Sequence, residues 1–161
     1  MTAEKELILS IAKDIVCNQK GDYLSLIEGT NVDWLRFKDA LVYHGLVSFA
    51  YLKLKRHLSL LPEDMVKIMN ATYNYYLMYT YYLERKFLVL YDIFESKGIT
   101  FIPIKGIALS SDLYPEYPVR PSTDIDVLIN EDDLDKASNI LEGLGFKKHL
   151  EGLKESYWRT K

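Results

Sequence analysis

Apolar residues in the first hundred positions recur at steps of three and four, the spacing that lines one face of an α-helix. Leu7, Ile8, Ile11, Ile15 and Val16 define such a face over residues 4–17, with Cys17 at its end as a small, partly buried residue. A short helix follows through Leu24 and Leu26. Asn31 and Asp33 are candidate N-caps for the next, from Trp34 to about His44. It offers Leu35, Ala40, Leu41 and Tyr43 to the core, and His44-Gly45 reads as its end. A fourth helix runs through Phe49, Ala50, Leu52 and Leu54 and ends near His57. The longest periodic segment starts at Pro62, a residue suited to a first helical turn. Met65, Met69, Thr72, Tyr76, Tyr79, Leu83, Phe87, Leu90 and Phe94 follow the helical period, and Gly98 is placed to close the helix in a left-handed cap. Its length would be roughly 50 Å.

After Gly98 the pattern changes. The run 99–104, Ile-Thr-Phe-Ile-Pro-Ile, is β-branched and aromatic and reads as a buried strand. Lys105-Gly106 follows, and then Ile107, Ala108, Leu109 and Leu113 suggest a short helix. Free N–H groups at a helix start attract anions, and a glycine there lets a phosphate approach the backbone. A tight strand-to-helix turn with a solvated lysine accounts for the same residues. A proline-stiffened loop, 114–123, leads to a second strand, Asp124-Ile-Asp-Val-Leu-Ile129. Alternation along a strand puts Asp124 and Asp126 on one face, with β-carbons about 7 Å apart. Carboxylates so spaced can share divalent cations, and hard oxygen donors favour Mg2+ or Mn2+. The frayed end of a surface strand is the plain alternative. Between Asp112 and Asp135 lie eight acidic residues and one basic, Arg120, which favours the cation reading. Glu131-Asp132-Asp133 reads instead as a solvated start for a helix over 132–144. Residues 146–150 form a possible third strand, and the tail from Glu151 to Lys161 shows no clear element.

Composition narrows the function classes. The chain has 161 residues, 48% hydrophobic and 27% charged, a globular mix rather than a disordered one. A net charge of −3 gives no support to a general nucleic-acid surface. The single cysteine excludes an internal disulfide and a thiolate-bound zinc, which fits a reducing, cytoplasmic setting. The charged first residues do not read as a signal peptide, and no apolar run is long enough to span a membrane. Six of the 13 tyrosines fall between Tyr73 and Tyr82, too many for one helical face. Helix packing is the preferred explanation, with a base-stacking ladder as the alternative.

The ordered segments Ile104-Lys-Gly-Ile-Ala-Leu109, Tyr114-Pro115 and Arg120-Pro-Ser-Thr-Asp-Ile-Asp-Val-Leu-Ile129 resemble the core of the nucleotidyltransferase-like family of bacterial proteins. That family belongs to the DNA polymerase β superfamily. The resemblance implies an α+β protein: a helical region, 1–97, followed by an incomplete nucleotidyltransferase-type mixed sheet with flanking helices, 98–161. It implies that Asp124 and Asp126 are catalytic and bind Mg2+ (or Mn2+), and that Lys105, Gly106 and Arg120 meet the phosphates of an NTP. A nucleoside monophosphate would pass to an unidentified hydroxyl acceptor, releasing pyrophosphate. Two departures stand out. Ile107 occupies the place where most superfamily members have a phosphate-touching serine, and Ser110 and Ser111 lie a turn further on. The superfamily's third carboxylate has no convincing counterpart, since Glu151 and Glu155 sit in no clear strand pattern. The chain is therefore read as an N-terminal fragment or truncated member. The alternative to an enzyme is a catalytically inactive nucleotide- or protein-binding module.

Overall fold

A computed structural model describes residues 1–106, 110, 122–151 and 156–160. The described elements are α1 (Ala3–Cys17), α2 (Tyr23–Glu28), α3 (Trp34–Tyr43), α4 (Val47–Leu54) and α5 (Glu63–Ser96), then β1 (Phe101–Pro103), β2 (Val127–Ile129), α6 (Leu134–Gly143), β3 (Phe146–Glu151) and β4 (Ser156–Thr160). A 3-10 stretch, Lys55–Leu60, joins α4 to α5. The class is α+β, as the patterning predicts. Both described sheets are two-stranded and antiparallel, β1 with β2 and β3 with β4, so the mixed sheet has no parallel pair among the described residues.

Two cores share one helix. The larger gathers Leu7 and Ile11 of α1, Phe37 and Leu41 of α3, Ala50 and Leu54 of α4, and Met65 and Met69 from the start of α5. Polar links orient these helices. The Asp33 side chain caps α3 by accepting the Arg36 N–H, while the Asp33 N–H donates to Glu4 of α1 at 2.7 Å. That bond holds the Glu4 carboxyl below its usual range. Buried Asp14 accepts the Tyr23 hydroxyl at 2.6 Å and pairs with Lys53 Nζ at 3.1 Å. Burial opposes ionisation of Asp14, but these two partners outweigh it and hold its pKa low.

The smaller core lies at the other end of α5. Phe94, Ile99 and Ala137 are buried there, packed by Leu90, Phe101, Ile129 and Ile140. The end of α5 explains its position. Gly98 takes φ +67°, its N–H donates to the Glu95 carbonyl, and the Ile99 N–H reaches back to Phe94 at 2.9 Å. This left-handed cap turns the chain so that Ile99 packs against Phe94. Phe101 of β1 then meets Phe87, Tyr91 and Phe94 edge-on, with ring centroids 5.6–5.9 Å apart. The sheet is thereby pinned to the last three turns of α5.

Several expectations change. Leu35, Tyr43 and Val16 are exposed; the inward face of α3 is carried by Leu41, as expected, and by Phe37. Cys17 is exposed at the end of α1, beside a left-handed cap at Asn18. The middle of α5 is only partly covered: Thr80 and Leu83 are buried, whereas Tyr76 and Tyr79 are half-buried. The cores sit near the two ends of the helix, so the turns between them have fewer neighbours. The tail, read as featureless, contains β4, paired with β3 from Phe146↔Thr160 to Glu151↔Ser156. A register shift between Lys148 and Leu150 breaks its alternation, which hides the strand from a period-two reading.

Candidate functional site

The chemistry-bearing segments lie at the open end of the β1–β2 pair. Phe101 faces Ile129, Ile102 faces Leu128 and Pro103 faces Val127. The strands are shorter than the patterning predicts, but the ladder continues by one bond, from the Ile104 N–H to the Asp126 carbonyl at 3.0 Å. Antiparallel register then brings Gly106 opposite Asp124. The glycine turn and the aspartate segment therefore meet because of strand pairing, although 17 positions separate them.

Gly106 is buried and holds φ +74°. A β-carbon there would stand 2.9 Å from Ser122 Oγ and 3.3 Å from the Asp124 carbonyl oxygen. Only glycine satisfies both the backbone angle and this approach. Ser110 N–H donates to the Gly106 carbonyl at 3.1 Å, a bond with the four-residue spacing of a helical turn. The Ser110 hydroxyl is buried and donates to the same carbonyl at 2.7 Å. It is turned into the backbone and does not replace the serine missing at Ile107.

Asp124 is exposed and Asp126 is half-buried. Lys105 Nζ lies 3.2 Å from Asp126 Oδ2. That oxygen is itself buried and accepts no aligned hydrogen bond, so the contact is one of charge. Two features of the site were not legible in the sequence. Ser122 is buried against the glycine and donates to the Asp124 carbonyl at 3.2 Å. The Tyr79 hydroxyl donates to the Thr123 carbonyl at 3.3 Å, tying α5 to the residue before Asp124.

The donor set suits a hard divalent cation in part. Asp124 and Asp126 carry carboxylates two positions apart, and the buried Asp126 Oδ2, beside the Lys105 ammonium but without an aligned donor, has capacity for a cation. No group of three or more His, Cys, Asp or Glu side chains that could hold a metal occurs among the described residues. Arg120, Tyr114, Pro115, Glu155 and the expected helix 107–113, apart from Ser110, lie outside the described residues. Glu151 ends β3 and faces Ser156. Among the described residues no helix is long and apolar enough to cross a membrane.

A family model described as an uncharacterised nucleotidyltransferase matches residues 30–160. Neither a curated protein nor a solved structure matches the chain.

Proposed function

Because the chain belongs to the uncharacterised nucleotidyltransferase family, we propose that it carries the metal and phosphate side of a nucleotidyl transfer from an NTP to a hydroxyl acceptor. The observation that supports this most is the meeting of Gly106 with Asp124 across the ladder, with Lys105 paired to Asp126 beside it. Asp124 and Asp126 would hold Mg2+ or Mn2+. Such an ion supplies charge neutralisation of the triphosphate and of the developing negative oxygens. Gly106 lets the turn lie close against Ser122 and the Asp124 carbonyl, so a phosphate held at the turn would stand beside the carboxylates. Lys105 neutralises Asp126 in the structure. Were Asp126 to hold a cation, the Lys105 ammonium would be available to phosphate, and Arg120 is proposed to reach that group as well. Tyr79 and Ser122 act as positioning residues that fix the segment carrying Asp124. In this reading residues 1–97 are a helical platform and 98–161 part of the transferase core, in a bacterial cytoplasmic protein.

A second reading has specific support. No group of three carboxylates gathers among the described residues, whereas the resemblance implies transfer that draws on three. A binding module that holds NTP without turnover fits that count. One titration separates the readings: NTP affinity with and without Mg2+, followed by pyrophosphate release with mixed small-molecule hydroxyl acceptors. Metal-dependent binding with release supports the enzyme, and binding without release supports the module. Binding unchanged in Asp124→Asn and Asp126→Asn would remove the metal-dependent enzyme, and no NTP binding with or without the metal would remove both.

A further inference from the structure

Besides the face that packs on the cores, α5 carries a second apolar stripe. Ile68, Ala71, Tyr75, Met78 and Tyr82 step by 3, 4, 3 and 4, and the next two positions of the same spacing are Arg85 and Val89. That is the seven-residue repeat with two apolar positions that makes a coiled-coil seam, not the 3.6-residue period of the core face. The two faces are separated on the helix: Met65, Met69, Thr80, Leu83 and Phe94 are buried, while Tyr75 is 62% and Met78 67% exposed. A solvated helix face normally carries charges. Residues 68–83 contain none.

We infer that this stripe is a self-association surface, on which α5 of a second copy of the chain packs antiparallel. Three observations support that occupant. The first is area. The exposed parts of Ile68, Tyr75, Met78, Tyr82 and flanking Tyr81 come to about 500 Å² per copy, at roughly 200 Å² for a side chain of this size. A stable interface buries about 800 Å² per partner and transient ones less, so the area suits a weak dimer. The second is charge. Glu63 and Asp64 precede the uncharged stretch, and Arg85 and Lys86 follow it. Antiparallel pairing about the middle of the stretch sets Asp64 across from Lys86 at both ends. Parallel pairing would set like charges side by side. The third is shape. The shallow groove on this face is lined by Ala71, Asn74, Tyr75, Met78, Tyr79 and Tyr82, all from one helix. A shallow, open groove along one helix encloses no small ligand and suits another helix better. A self-complementary stripe of this kind closes with twofold symmetry, so it stops at a dimer.

The test is sedimentation velocity of the full 161-residue chain over a range of micromolar concentrations. A concentration-dependent dimer is expected. Tyr75→Glu with Met78→Glu should weaken it about a hundredfold. Val16→Glu, at an exposed site on α1, should leave it unchanged, and circular dichroism checks that every variant is folded. Asp64→Lys should weaken the dimer and Asp64→Lys with Lys86→Asp should restore it. A chain that stays monomeric at all concentrations overturns the inference, whether or not it takes up nucleotide. So does a dimer that survives the double glutamate variant, or a charge reversal that fails to restore it.

Discussion

Replacing Gly106 by alanine tests the closest packing at the site. The backbone term is set by φ +74°, where a β-carbon costs about 1–2 kcal/mol. Reduced freedom of the unfolded chain returns about 0.4–1 kcal/mol of that. Gly45 isolates this term, because it holds φ +67° and its β-carbon would meet nothing within 4 Å. Gly45→Ala should therefore cost about 1 kcal/mol. At Gly106 the new carbon also stands 2.9 Å from Ser122 Oγ and 3.3 Å from the Asp124 oxygen. The hydroxyl can swing aside, but the carbonyl belongs to the ladder segment and must shift with it. Overpacking of this kind adds about 1–3 kcal/mol, for a total near 2–4 kcal/mol. Urea denaturation of the two variants measures the difference directly, provided both keep the same dependence on denaturant. Adding Ser122→Ala to Gly106→Ala should recover part of the loss and not all of it, since the Asp124 contact remains. Equal losses for Gly45→Ala and Gly106→Ala would refute the close approach, and with it the structural reason for placing the turn beside Asp124.

Other outcomes follow from the same contacts. Because the Asp14 carboxyl is held below its ordinary value, its stabilisation is full above about pH 5 and is lost as pH falls through about 4 toward the lowered pKa. Asp14→Asn should cost about 3 kcal/mol at pH 7 and flatten that acid slope in urea midpoints taken from pH 7 to 3. Phe37 is fully buried, so Phe37→Ala should cost about 3–5 kcal/mol, read as a lowered thermal midpoint. Tyr79→Phe removes an exposed 3.3 Å bond to the Thr123 carbonyl and should cost under about 1 kcal/mol of stability. Its larger effect should be faster amide exchange at Asp124 and Ile125, and exchange as slow as in the parent would deny Tyr79 its positioning role.

The helices were largely legible because each is decided locally. Pro62, the 3.6-residue pattern and Gly98 mark α5 within a residue or two of its observed bounds. Exposure was less legible. Leu35 and Tyr43 match the apolar lettering of α3, yet Phe37 and Leu41 face α1 and α4, and only the packing partner decides which stripe is used. The strand β4 was hidden by the irregular register of its partner. At the candidate site the Lys105-Gly106 turn and the aspartate pair were visible as patterns. Their meeting was not, because it depends on register: a slip of one residue along β2 would place Ile125 opposite the glycine. Ser122 and Tyr79 were hidden for the same reason, since both act through contacts made across that pairing.

The 34-residue α5 is also a lever. Its Met69 end is gripped by the larger core and its Phe94 end carries Phe101 and the strand behind it. The arm between those grips is about 38 Å long, so a tilt of roughly 5° at one end displaces the other by about 3 Å. That is as long as the bond from Ile104 to Asp126. Any load that rocks the four short helices against this rod is thereby felt, magnified, where the carboxylates stand.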